Sequence, residues 1–188
     1  MISRPLFTGT FFGHASHLQY ARVLNWDFVL TLRLKFALAN TQDSVKSNWL
    51  LYSGQKGEGY RGSDYIALGI EENFLKLQFD LGTGAAILRS PEPLNLSLPY
   101  HSVQLGRHKQ EGWIQVDNQV NVSANTQGHL IGLNTYRDLF IGGLNEGEDA
   151  FLPDNLSFQN GFQGCIYDVE VKASQYDEFS LLGADLVM

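Results

Sequence analysis

The chain has 188 residues, a formal net charge of −7 and 18% charged residues. This acidic balance, without a basic stripe, excludes a nucleic-acid binder, and no apolar stretch approaches membrane-spanning length, which excludes direct membrane insertion. Nineteen glycines and 12% aromatics favour strands joined by tight turns, and the length suits one domain that buries a core without a disulfide or metal staple.

Leu6 to Ala21 reads as two short strands, LFTGTFF and HLQYA, around Gly13. Phe28 to Leu38 alternates, with Phe28, Leu30, Leu32, Leu34 and Phe36 on the apolar face of a strand. A polar loop leads to the apolar run Trp49–Tyr52, and Ser53 to Ser63 is a Gly-rich loop. Gly62 to Gly84 then reads as a hairpin turning at Glu71, Glu72 and Asn73. On its return strand Leu75, Leu77, Phe79 and Leu81 alternate with Lys76, Gln78 and Asp80, which predicts one buried face and one wet face. Asp64 therefore stands at the open end of the hairpin, where the chain returns at about Leu81.

Ala85 to Arg89 is a brief strand ended by Pro91 and Pro93. His101 to Arg107 and Trp113 to Val116 are strands around a Gln110-Glu111-Gly112 turn. Asp117-Asn118 turns the chain into Val120–Val122, and Ala124 to Gly128 is a polar loop. Leu139 to Ile141 ends at Gly142-Gly143, Leu144 to Gly161 is a long acidic connection, and Phe162 to Val171 is a final long strand. Many short strands, with no sustained helical repeat, predict an all-β, two-sheet antiparallel sandwich or jelly roll.

Three sequons, at Asn95, Asn121 and Asn155, point to glycosylation in a secreted setting. The opening MISRPLFTGTFF lacks a basic region followed by an apolar run, so no signal peptide is expected there. Cys165 is alone and reads as a buried, inert residue. The five histidines show no metal-ligand spacing, and Trp26, Trp49 and Trp113 read as core. Arg107-His108-Lys109 reads as a solvated basic turn. On the residues alone, Asp64 either caps a turn or ligates a cation, and Asn134, followed by Thr135, leaves the same two readings open.

In chain order, TFFGHASHLQY, NWLLYSG, DYIALGI, GWIQVDN, LFIGGL and FQGCIYDVEV are similar to the strand motifs of the laminin G-like (LNS) domain family of laminins, neurexins, agrin and perlecan. Each piece is weak alone. Six in the right order over nearly the whole chain make the resemblance specific. The resemblance implies a jelly roll of about fourteen strands. It also implies that 1–188 is a single laminin G-like domain from a larger multidomain extracellular protein.

The resemblance further implies a Ca²⁺ site on one rim. Position by position, Asp64 is similar to the family's aspartate, Leu81 and Gly132 to its two backbone-carbonyl ligands, and Asn134 to its side-chain ligand. Calcium takes about six to eight oxygens at roughly 2.3–2.6 Å, so four protein ligands leave positions for water or a partner's oxygen. With one ionised ligand the expected affinity is of order 10⁻⁴–10⁻³ M. Such an open face suits an extracellular protein or an acidic glycan, flanked by Arg61, Arg137, Tyr60 and Tyr136 on the loops. The proposed rim comprises Ser53–Ser63, Gly82–Gly84, Ala124–Asn134 and part of Leu144–Gly161. The family's closing-strand cysteine pairs with a second one near its C-terminus, and Cys165 has no such partner in this sequence. The alternative function is a metal-free structural or dimerisation domain packing through a sheet face. Catalysis is not expected, because no pair of carboxylates stands at the spacing a sandwich glycosidase uses and no nucleophile elbow is present.

Overall fold

A computed structural model describes residues 7–12, 16–20, 24, 27–36, 47–55, 64–135, 138–144, 152–153, 155–158, 160–172 and 178–181. Thirteen strands lie among them, in two antiparallel sheets. The first sheet contains β1 (Phe7–Phe12), β3 (Phe28–Phe36), β8 (His101–His108), β9 (Glu111–Val116), β10 (Val122–Asn125) and β12 (Gln163–Lys172), in the order β1-β12-β3-β8-β9-β10. The short β13 (Ser180–Leu181) pairs with β12. The second sheet contains β2 (Leu18–Tyr20), β4 (Ser47–Gly54), β5 (Tyr65–Glu71), β6 (Phe74–Asp80), β7 (Ala86–Arg89) and β11 (Leu139–Ile141), in the order β2-β11-β4-β5-β6-β7. This is the expected jelly-roll sandwich.

The core between the sheets comes from alternate positions of each strand. Phe28, Leu30 and Leu32 of β3, Val103 and Leu105 of β8, and Ile114 and Val116 of β9 meet Ile66, Leu68 and Ile70 of β5 and Leu75, Leu77 and Phe79 of β6. Burial of such side chains is worth about 1.5–3 kcal/mol each, and this is what holds the sheets face to face. The turn of the central hairpin is tighter than the sequence suggests. Glu71 still pairs with Phe74, and only Glu72 and Asn73 turn, both with positive φ (51° and 68°). That is the two-residue connection whose twist matches its strands. The next hairpin is shifted the same way: Lys109-Gln110 is the turn, and Glu111 and Gly112 already belong to β9. Val120 lies in a turn, 75% exposed, and β10 begins at Val122, running through Ala124 and Asn125 where a loop is expected.

Two larger departures are linked at Gln78. The β6 side expected to be wet is dry at one end: Gln78 and Asp80 are buried beside Leu77 and Phe79. The described residues of the long connection, 152–153, 155–158 and 160, lie across the outer face of the second sheet. Phe158 packs edge-on against Trp49, with ring centroids 5.3 Å apart, in a second cluster with Tyr52, Tyr65, Ala67, Phe140 and Leu144. Trp49 N–H donates to the Asn160 carbonyl at 2.7 Å, and Asn160 N–H donates back to Ser47 at 3.1 Å. Gly69 makes the approach possible, since a Cβ there would stand 2.4 Å from the Phe158 ring. Gln78 Nε2 donates to the Tyr65 hydroxyl at 2.6 Å, and that hydroxyl donates to Asn155 Oδ1 at 3.2 Å, while the buried Gln78 Oε1 has no hydrogen-bond partner. Burial, only partly offset by these hydrogen bonds, pushes the Tyr65 phenol up to about 12.

The first sheet has no such cover among the described residues. Trp113 is on its outer face, half-buried and lying over Gly106, where a Cβ would meet the indole at 2.6 Å. It is not in the core as its apolar neighbours suggest. Cys165 is also on this face, free and half-buried, with Sγ 3.6 Å from the Thr10 hydroxyl.

Candidate metal centre

The antiparallel register of β5 and β6 pairs Tyr65 with Asp80. Asp64 and Leu81 are the next residues on each strand, so the ladder ends with these two facing each other. The chain then turns sharply. Asp80 Oδ1 accepts the N–H groups of Gly82 (2.8 Å) and Gly84 (3.0 Å), both with positive φ, and this side-chain clasp shapes the 81–84 turn. Further contacts gather the neighbouring loops. The Thr83 hydroxyl donates to the Gln127 carbonyl, Gln110 Nε2 donates to Gly128 at 2.6 Å, and Thr126 N–H donates to Gln110 at 3.0 Å.

Asp64 and Asn134, seventy positions apart, meet at this lip. Asn134 N–H donates to Asp64 Oδ2 at 2.7 Å. Asp64 is 5% exposed, Leu81 is buried, and Gly132 and Asn134 are half-buried. Burial is the chief influence on the Asp64 carboxyl and raises its pKa above the ordinary range. The backbone and side-chain amides of Asn134 pull it back, Asp80 pushes it up, and Arg107 pulls it down. A buried carboxylate under strain from a second carboxylate, with hard oxygen donors on adjoining backbone, is a donor set that fits a divalent cation. Tyr60, Arg61, Tyr136 and Arg137 lie outside the described residues, as does most of the 53–63 loop.

Two residues of the lip escape the sequence reading. Asp80 reads there only as a wet strand position. Arg107 reads as part of a solvated turn, yet it is 2% exposed, with its guanidinium donating to the Ile131 carbonyl. A signal was present: Arg107 continues the inward series His101, Val103 and Leu105 at period two. His108 and Lys109 do face outward, and Asp27 takes His108 Nδ1 at 3.1 Å and the Lys109 N–H at 3.1 Å.

The three sequon asparagines are all exposed. Asn95 and Asn121 stand near the far end of the sandwich from Asp64, where Glu92 N–H reaches Gln119 Oε1 at 3.2 Å. Asn155 lies over the second sheet, with Oδ1 held by Tyr65.

The fold is that of a laminin G domain, and the family profile for the laminin G domain matches residues 42–177; the chain belongs to that family. It is 41% identical over 183 residues to the human protein eyes shut homolog, covering 97% of this chain and 6% of that protein. It is 30% identical over 173 residues to the mouse basement membrane-specific heparan sulfate proteoglycan core protein, covering 92% of this chain and 4% of that protein. Among solved structures, domains LG4-5 of the mouse laminin alpha1 chain superpose with a TM-score of 0.70 at 22% identity, over 98% of this chain and 48% of that one. The chain thus spans a small fraction of the curated relatives it matches. It is a laminin G module of an extracellular setting.

Proposed function

We propose that this module binds Ca²⁺ at the lip built by Asp64, Leu81, Gly132 and Asn134, and uses the bound ion to recognise an acidic group on an extracellular protein or glycan. The observation that carries the reading is the meeting of the buried Asp64 carboxylate with Asn134 at the end of the β5–β6 ladder. The ion would supply an exposed positive charge at the lip of an acidic chain. The protein's residues would position it and leave part of its shell open to a ligand oxygen. Leu130 and Ile131, 49% and 43% exposed, stand beside Gly132 and offer apolar contact to the same ligand. Glycans on Asn95 and Asn121, near the far end of the sandwich, would leave the lip uncovered.

The metal-free alternative, packing through a sheet face, has one face left to use. The second sheet is covered by 152–153, 155–158 and 160, and the first displays Trp113 among polar neighbours. An array of sulfated and carboxylated glycans and matrix proteins, probed in calcium and in EDTA, separates the readings. Binding lost in EDTA supports the lip, and binding unchanged in EDTA supports the sheet face.

The Asp64 shift adds a pH signature. Calcium takes the ionised carboxylate, so its affinity falls as pH drops, by about tenfold per unit below the folded-state pKa. Because that pKa is raised, the fall begins above the ordinary aspartate range of about 3.9. Without calcium the sign reverses. A raised carboxyl pKa adds stability that is full below the unfolded value and is lost as pH rises through the folded value. Calcium titrations by calorimetry between pH 4 and 7 are expected to show this early loss, and a Kd flat down to pH 4 would count against Asp64 as the ligand.

A further inference from the structure

Arg107 is the last inward-facing residue of β8, and its guanidinium donates to the Ile131 carbonyl. Three residues on, the Asn134 N–H donates to the Asp64 carboxylate at 2.7 Å. The segment 131–134 is therefore gripped at one end by a buried cation and at the other by a buried anion. The two charges also act on each other across it. Burial pulls Arg107 down to about 10, while Asp27 and Asp64 raise it, and Arg107 in turn lowers Asp64. A buried guanidinium carries a large desolvation penalty, so its presence under a lip of carboxylates calls for a reason.

We infer that Arg107 is an internal stand-in for the metal's charge: it keeps the lip assembled when no ion is bound and opposes the ion when one arrives. The inference rests on the calcium reading above, and it makes Arg107 a positioning residue, not a ligand. Its consequences have opposite signs. Without the guanidinium, only the Asn134 amides offset Asp80 at Asp64, and the ion-free lip loosens. The same loss removes a repulsion on Ca²⁺, so the ion binds more tightly. A residue that only supported the loop would give a looser lip and weaker calcium binding together.

The test uses Arg107→Met, Arg107→Gln and Arg107→Lys in the 188-residue chain. Hydrogen exchange at the Leu133 and Asn134 amides is measured in EDTA, and calcium chloride is titrated by calorimetry. Met and Gln are expected to speed exchange several-fold and to tighten the calcium Kd about tenfold, with Gln covering the case in which Met does not fold. Lys, which keeps the charge, is expected to restore both values toward those of the unaltered chain. Unchanged or weaker calcium binding in the neutral variants, with the unaltered chain binding normally, overturns the role of Arg107 alone. If neither the unaltered chain nor the neutral variants take up calcium at millimolar concentration, the calcium reading falls and this inference falls with it.

Discussion

Asp64→Asn is expected to abolish calcium binding while leaving the lip folded. The substitution keeps an oxygen that can accept the Asn134 N–H, now 2.7 Å from Asp64 Oδ2, but removes the one ionised ligand in the proposed set. An affinity of order 10⁻⁴–10⁻³ M corresponds to roughly 4–5.5 kcal/mol. Without the carboxylate, three neutral oxygens and water hold a divalent cation no better than bulk solvent does. Stability in EDTA should change little, because the Asp64 charge is carried against its burial and its raised pKa marks that cost. Asp64→Ala removes the acceptor as well and should lose a further ~1–3 kcal/mol, the usual consequence of orphaning a buried donor. Calorimetric titration and thermal melts of both variants check this. Wild-type calcium uptake by the Asn variant would show that the ion sits elsewhere.

Phe158→Ala is expected to cost about 3–5 kcal/mol, or roughly 6–20 °C in Tm for a chain of this size. Phe158 belongs to the second cluster, edge-on to Trp49 and seated over Gly69. Its loss opens a cavity and frees a segment that also closes over Gln78 and Lys76, whose Nζ reaches Ser157 Oγ at 2.9 Å. Gly69→Ala offers an independent check. In the unaltered chain the new Cβ would stand 2.4 Å from the ring and force it away; in the Phe158→Ala background that clash is gone, while the 2.6 Å approach to the Asn48 carbonyl remains. The two substitutions should therefore be non-additive, with Gly69→Ala milder in the second background but still costly, because the Asn48 carbonyl stays in place. Equal costs in both backgrounds would mean that the Asn48 carbonyl, and not the Phe158 ring, sets the limit at Gly69.

The uneven legibility of this fold follows from how far each determinant acts along the chain. The β5–β6 hairpin was readable because period-two alternation and a turn are local properties, and its end correctly marked Asp64 and Leu81 as neighbours. The burial of Gln78 was not readable, since its cover arrives from Asn155 and nothing near β6 announces it, and Asp80 is drawn in by the 81–84 turn that it clasps. The meeting of Asp64 with Asn134 spans 70 positions and became visible only through the family resemblance. Arg107 was misread for a different reason. Its charge and its charged neighbours suggested a solvated turn, while the strand parity that places it inward with Val103 and Leu105 was already in the sequence. Charge identity outweighed register in that reading, and at a buried ionic site register is the better guide.

A crystal grown in millimolar calcium tests the central claim most directly. The account predicts one ion within roughly 2.3–2.6 Å of an Asp64 carboxylate oxygen, with the Leu81 and Gly132 carbonyls and the Asn134 side-chain oxygen in its shell and water or a ligand oxygen completing it. A lip without an ion at that concentration, or an ion bound where Asp64 is not a ligand, would contradict it.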